Sequence, residues 1–184
     1  MTTAASEHRT TAAHFTALVH GTTDWDAPAP VEDWTARDVV RHLVEWLRAF
    51  LESGAGVTLA PVPSVDDDPV AAWDTHAAAV QALLDDPNSA DVPFTNRHTG
   101  SMPLPDAIAT FYTSDVFLHS WDLARATGQD ERLDPARCAA MLEGMLPLDD
   151  LLRSSGQYGP RVEVPADADP QTKLIAFIGR DPRR

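Results

Sequence analysis

Three Asp-Pro pairs, at residues 68/69, 134/135 and 169/170, each stand immediately ahead of a helical pattern. An Asp carboxylate accepts hydrogen bonds from the free N–H groups at a helix start, and Pro suits the first turn, where an N–H has no intrahelical partner to lose. The pairs therefore predict three helix starts. A fourth is "TARD", where Thr35 and Asp38 have the spacing of a capping box ahead of "VVRHLVEWLRAFLES". Apolar residues follow at intervals of three and four: Leu43, Leu47 and Phe50; Trp73, Ala77, Val80 and Leu84; Ile108, Phe111 and Leu118. The reading is a helix over 4–20, ended by Gly21, then helices over 36–53, 69–86, 105–127 and 135–154, and a short one over 170–178. Four long amphipathic helices predict an all-α fold, a four-helix bundle with additional C-terminal helices and long connecting loops. One domain over 1–184 is expected, since no repeat and no composition break divides the chain.

Two connections are rich in Pro, Gly and Ser: "GAGVTLAPVPSVD" at 54–66 and "PNSADVPFTNRHTGSMPLP" at 87–105. A few alternating residues in the second suggest a short hairpin, and connections of this length often carry function.

With 43% hydrophobic and 23% charged residues the composition is that of a soluble globular chain able to bury a core. The net charge of −14, with scattered basic residues, gives no basic face for displacing counterions from phosphates. Nucleic acids and anionic membranes are not expected partners. No apolar run approaches the roughly 18 residues that cross a bilayer, and the polar start "MTTAASEHRTTAAHF" has no signal-peptide core, so a cytoplasmic location is expected. The one cysteine, Cys138 in "ARCAAML", reads as helix core and excludes an internal disulfide.

Residues four apart on a helix lie about 6 Å apart on one face, so Asp115 and His119 point the same way. That face also carries Ile108, Phe111, Tyr112 and Asp122, which directs the pair toward the bundle interior or its mouth. His42 lies between Val39 and Trp46, on or beside the apolar stripe of the second helix. Together these residues supply two nitrogens and one oxygen, a set that suits a catalytic divalent metal with a fourth position left for water or substrate. An Asp–His hydrogen bond along one helix, with His42 unrelated, is the competing structural reading. Ligand type favours zinc; nickel and iron stay open. The other histidines are not assigned to the metal: His76 is placed toward the bundle interior, while His8, His14 and His20 have no evident partner in the sequence. Trp34, Trp46, Trp73 and Trp121 read as packing residues, and Asp122 with Arg125 as an i,i+3 ion pair.

Three segments, "DWTARDVVRHLVEWL", "DVFLHSWDLARATGQDERLDP" and "VPADADPQTKLIAFIGRDP", occur in this order and span most of the chain. They resemble the actinobacterial metal-binding proteins related to the N-terminal domain of mycothiol-dependent maleylpyruvate isomerase, within the DinB-like helical-bundle superfamily. The resemblance implies that His42, Asp115 and His119 hold a divalent metal, commonly zinc. The isomerase has Glu where this chain has Asp115, which is one methylene shorter. The resemblance also implies mycothiol as cosubstrate and a small electrophile as its partner, the chemistry being that of a thiol S-transferase or isomerase. Little more than a helical extension follows residue 135, so maleylpyruvate isomerisation itself is not expected. Arg97 and His98, in the second long connection, are candidates for anion binding or proton transfer at the metal mouth, or for plain solvated loop residues. A non-catalytic metal- or small-ligand-binding module is the alternative function, and a protein-interaction bundle a third. Homo-oligomerisation is left open, with no heptad seam to predict it. The sequence has no phosphate-binding loop, dinucleotide fingerprint or serine nucleophile elbow.

Overall fold

The computed structural model describes residues 3–96, 100–154, 156 and 158–183; Arg97 and His98 lie outside them. The Asp-Pro expectation holds at all three positions. Asp68, Asp134 and Asp169 are N-caps whose carboxylates accept from the backbone N–H of Ala71, Arg137 and Thr172. They open α3 (Pro69–Asp85), α6 (Pro135–Met145) and α8 (Pro170–Phe177). α1 spans Ala4–Gly21, and α2 spans Ala36–Ala55 behind a complete Thr35/Asp38 capping box.

Two segments differ from the uniform helices expected. The stretch beginning at Leu104 is α-helical over Leu104–Ala107 (α4), π-helical over Ile108–Thr113 and α-helical again over Ser114–Thr127 (α5), where Gly128 caps it at φ 67°. The helix expected over 135–154 breaks at a 3-10 turn, Leu146–Leu148, before α7 (Asp149–Ser154). Pro147 lies in that break, and a proline ring removes an N–H and crowds the preceding turn.

The expected hairpin is present as β1 (Pro93–Asn96) and β2 (Gly100–Pro103), antiparallel, with Phe94 opposite Met102. Phe94 is fully buried and stacks on Phe50 of α2 with ring centroids 4.3 Å apart.

The main core lies between α1, α2, α3 and the α4–π–α5 segment. It contains Phe15, Val39, Leu43, Leu47, Trp73, Val80, Ile108, Tyr112 and Val116. Each fully buried Leu or Phe contributes roughly 1.5–3 kcal/mol relative to exposure, so this four-helix assembly dominates the hydrophobic gain. The opposite face of α5 carries Phe117, Leu118 and Trp121 into a second cluster with Cys138, Leu174, Ile175, Phe177 and Ile178. Helices α6 and α8 thus cover the side of α5 that the bundle leaves open. The polar residues in the middle of α5, His119, Ser120 and Asp122, are therefore enclosed and need partners inside the protein. Among the described residues no helix is long and apolar enough to cross a membrane.

Candidate metal centre

His42 projects from α2 at a position flanked by the buried Val39 and Leu43, so packing of the α2 stripe sets its direction toward α5. On α5, Asp115 is the second residue after the π-helical segment, whose wider turn is a feature frequent at functional sites. Ser114 Oγ donates to the carbonyl of Ala109, five residues back, at 3.2 Å. The i,i+4 spacing then brings His119 over Asp115.

Among the described residues, His42, Asp115 and His119 form a group whose ligand atoms all lie within 4.8 Å of one another. Asp115 Oδ2 lies 3.0 Å from His42 Nε2, and Asp115 Oδ1 lies 3.5 Å from His119 Nε2. The shorter arm of Asp115 therefore reaches both imidazoles. The side chains of His42, Asp115 and His119 are 32%, 22% and 5% exposed, so the cluster opens to solvent on the His42 side.

Four more residues shape the cluster. Trp46 Nε1 donates to Asp115 Oδ2 at 3.0 Å. Trp34 stacks on His119 with centroids 5.7 Å apart and planes 16° apart, and meets His42 at 5.0 Å. His119 Nδ1 lies 2.8 Å from Asp122 Oδ2, and Asp122 in turn pairs with Arg180 Nη2 at 3.0 Å. A carboxylate only accepts, so Nδ1 of His119 carries the proton, and in the neutral ring Nε2 keeps its lone pair toward Asp115. A lone pair facing a carboxylate oxygen is a repulsive arrangement that a proton or a cation between them would relieve.

Burial pushes the Asp115 carboxyl up, but the field of His119 and the hydrogen bonds from His42 and Trp46 outweigh it, and the net shift is downward. Asp122 behaves alike: burial raises it, while Arg180 and His119 bring it below the usual carboxylate range. Both groups are thus held as carboxylates.

The alternative of an Asp115–His119 contact with His42 unrelated does not describe this geometry, because His42 makes the closer approach to Asp115. The expected Asp122–Arg125 pair is replaced: Asp122 bonds His119 and Arg180, whereas Arg125 pairs with Glu131. Trp46 is a hydrogen-bond donor to the site as well as a packing residue. His76 is buried in the bundle, as expected, and away from the cluster; His20 finds an acidic partner after all in Asp74, at 2.9 Å. No local pattern in the "FIGRDP" run ties Arg180 to the site. A visible signal for Asp122 was its i,i+3 spacing from His119 on the same face.

Comparison with known proteins places the chain in a family. The model of the mycothiol maleylpyruvate isomerase N-terminal domain matches residues 5–124, a stretch that includes His42, Asp115, His119 and Asp122 but ends before α6. Two uncharacterized proteins of Mycobacterium tuberculosis, from strains CDC 1551 / Oshkosh and ATCC 25618 / H37Rv, are each 28% identical over 169 residues, covering 85% of this chain and 85% of their own. No solved structure gives a significant match. With its DinB-like helical bundle and a family match over more than half its length, the chain belongs to the mycothiol maleylpyruvate isomerase N-terminal domain family.

Proposed function

We propose that the protein is a divalent-metal-binding, mycothiol-dependent thiol S-transferase working in the cytoplasm, with His42, Asp115 and His119 holding the metal and zinc as the ion. The observation that carries this reading is the convergence of two imidazoles and a carboxylate, from α2 and α5, on one point of the bundle mouth. Three protein ligands with an open side suit a catalytic zinc site, whereas a structural site closes all four positions. The residues present fit the ion: His119 offers Nε2 because Asp122 occupies Nδ1, Asp115 is held as a carboxylate with Trp46 as donor, and His42 Nε2, 3.0 Å from that carboxylate, would exchange its proton for the metal. A divalent ion bound there would supply the Lewis acidity that lets a thiol lose its proton near neutral pH.

The chain's own residues then have three tasks. Trp46 fixes the carboxylate plane of Asp115, Asp122 fixes the ring of His119, and the aromatic face of Trp34 limits water access to both imidazoles. The thiol must come from outside, because Cys138 is buried in the second cluster. Family membership supports mycothiol as that thiol, with a small electrophile as acceptor.

The test is elemental analysis of protein purified without an affinity tag, followed by assays with mycothiol and a panel of small electrophiles. One zinc per chain and mycothiol-dependent turnover are expected, both lost in His42→Ala, Asp115→Asn and His119→Ala. Absence of stoichiometric metal overturns the reading. Stoichiometric metal without thiol binding or turnover leaves a non-catalytic metal-binding module instead.

A further inference from the structure

We propose that Arg180 is a positioning residue for the candidate metal centre, acting through Asp122 to hold His119 in the tautomer that presents Nε2 to a metal. This rests on the metal-binding reading above and extends it to a residue beyond the family-matched stretch 5–124. All three candidate ligands lie inside that stretch; the guanidinium that braces His119 through Asp122 comes from the tail.

The tail is built to deliver that side chain. Leu174, Ile175, Phe177 and Ile178 dock α8 into the cluster on the outer face of α5. The chain then turns at Gly179, φ 91°, and Arg180 N–H donates to Ile175 O at 3.1 Å. A Cβ at residue 179 would come within 2.8 Å of the Gly159 backbone, so the close approach of these two segments of the tail requires glycine there. The guanidinium meets Asp122 as a fork, Nη2 to Oδ2 at 3.0 Å and Nε to Oδ1 at 3.3 Å. A two-point contact sets the plane of the carboxylate as well as its position. Asp122 has no exposed surface and Arg180 is 12% exposed, so neither is free to turn to solvent. Oδ2, the oxygen of the shorter Arg180 contact, also takes the Nδ1–H of His119 at 2.8 Å. Fixing this oxygen fixes the imidazole plane, and with it the direction of Nε2 toward Asp115.

The experiment uses the full chain, tag-free, as wild type, Arg180→Gln, Arg180→Lys and Arg183→Gln. The first readout is the His119 tautomer in metal-stripped protein, from long-range 1H–15N correlations recorded at a pH where the imidazole is neutral. The second is zinc affinity by competition with a chromophoric chelator. Wild type is expected to show Nδ1–H, and Arg180→Gln a mixture of tautomers with zinc affinity about 10- to 100-fold lower. Arg180→Lys, which keeps charge but not the fork, should fall between them. Arg183→Gln, which removes an exposed pair with Asp181, should leave both readouts at wild type. A folded Arg180→Gln protein with wild-type tautomer and affinity overturns the proposal. If Arg180→Gln does not fold, Arg180→Lys is judged on the same readouts, and unchanged values overturn it. If wild type itself binds no zinc, the metal reading fails while the tautomer comparison still decides the role of Arg180.

Discussion

Trp46 Nε1 donates to Asp115 Oδ2 at 3.0 Å, on the same oxygen that lies 3.0 Å from His42 Nε2. A tryptophan of the α2 apolar stripe is thereby tied to the carboxylate between the two imidazoles, leaving Oδ1 facing His119. Trp46→Phe keeps most of the aromatic packing and removes the donor. Zinc affinity should drop about tenfold and stability by about 1–2 kcal/mol, read by chelator competition and urea unfolding. Unchanged zinc affinity would separate the indole from the site.

His76 lies without exposure between Trp73 and Tyr112. Burial, then the charges of Arg48 and His8, lowers its pKa from 6.5 to about 3. Between those two values the unfolded chain binds a proton that the folded protein excludes. Stability is therefore fully present above about pH 6.5 and is lost on acidification, at about 1.4 kcal/mol per pH unit, down to about pH 3. Lowering the pH from 6.5 to 5 is expected to remove about 2 kcal/mol through His76, with His8, also lowered by burial, adding in the same direction. Urea unfolding at several pH values checks this, and His76→Phe should flatten the dependence; an identical slope in that variant would contradict it.

Burial, followed by the charges of Asp134 and Asp169, pushes the Cys138 thiol up to about 11. Native protein at pH 8 should resist iodoacetamide and become fully alkylated only in denaturant, as followed by intact mass. Rapid native labelling would restore a nucleophile belonging to the chain and weaken the need for an external thiol.

Gly54, in the last turns of α2, lies against the ring of Phe94, and an added Cβ would collide with it. Alanine normally gains about 1 kcal/mol over glycine within a helix, but overpacking a buried contact costs about 1–3 kcal/mol. Gly54→Val should therefore destabilise the protein, since its branched side chain adds crowding and forgoes most of the helix-propensity gain. Thermal unfolding measures the loss, and a variant at least as stable as wild type would show that the hairpin yields freely.

The helix starts could be read along the chain because their causes are local. An Asp carboxylate satisfies N–H groups within its own next turn, and Thr35 and Asp38 complete a box over four residues. The common face of Asp115 and His119 follows from helix pitch in the same way. No local residue pattern marks the π-helical turn at Ile108–Thr113, whose apolar residues Ile108, Phe111 and Tyr112 keep an ordinary helical spacing.

Relations between distant residues needed the folded chain. His42 and Asp115 are 73 positions apart, and Asp122 and Arg180 are 58 apart. No periodicity links such pairs; they meet because α2 packs on one face of α5 while α8 covers the other. Burial on both faces also changed the meaning of Asp122, from one half of a surface pair with Arg125 to an enclosed carboxylate between His119 and Arg180. Local hydrogen bonding and helical pitch placed two of the three candidate ligands, Asp115 and His119, on one face. Burial of apolar surface across the bundle brought the third to them, together with the groups that orient them.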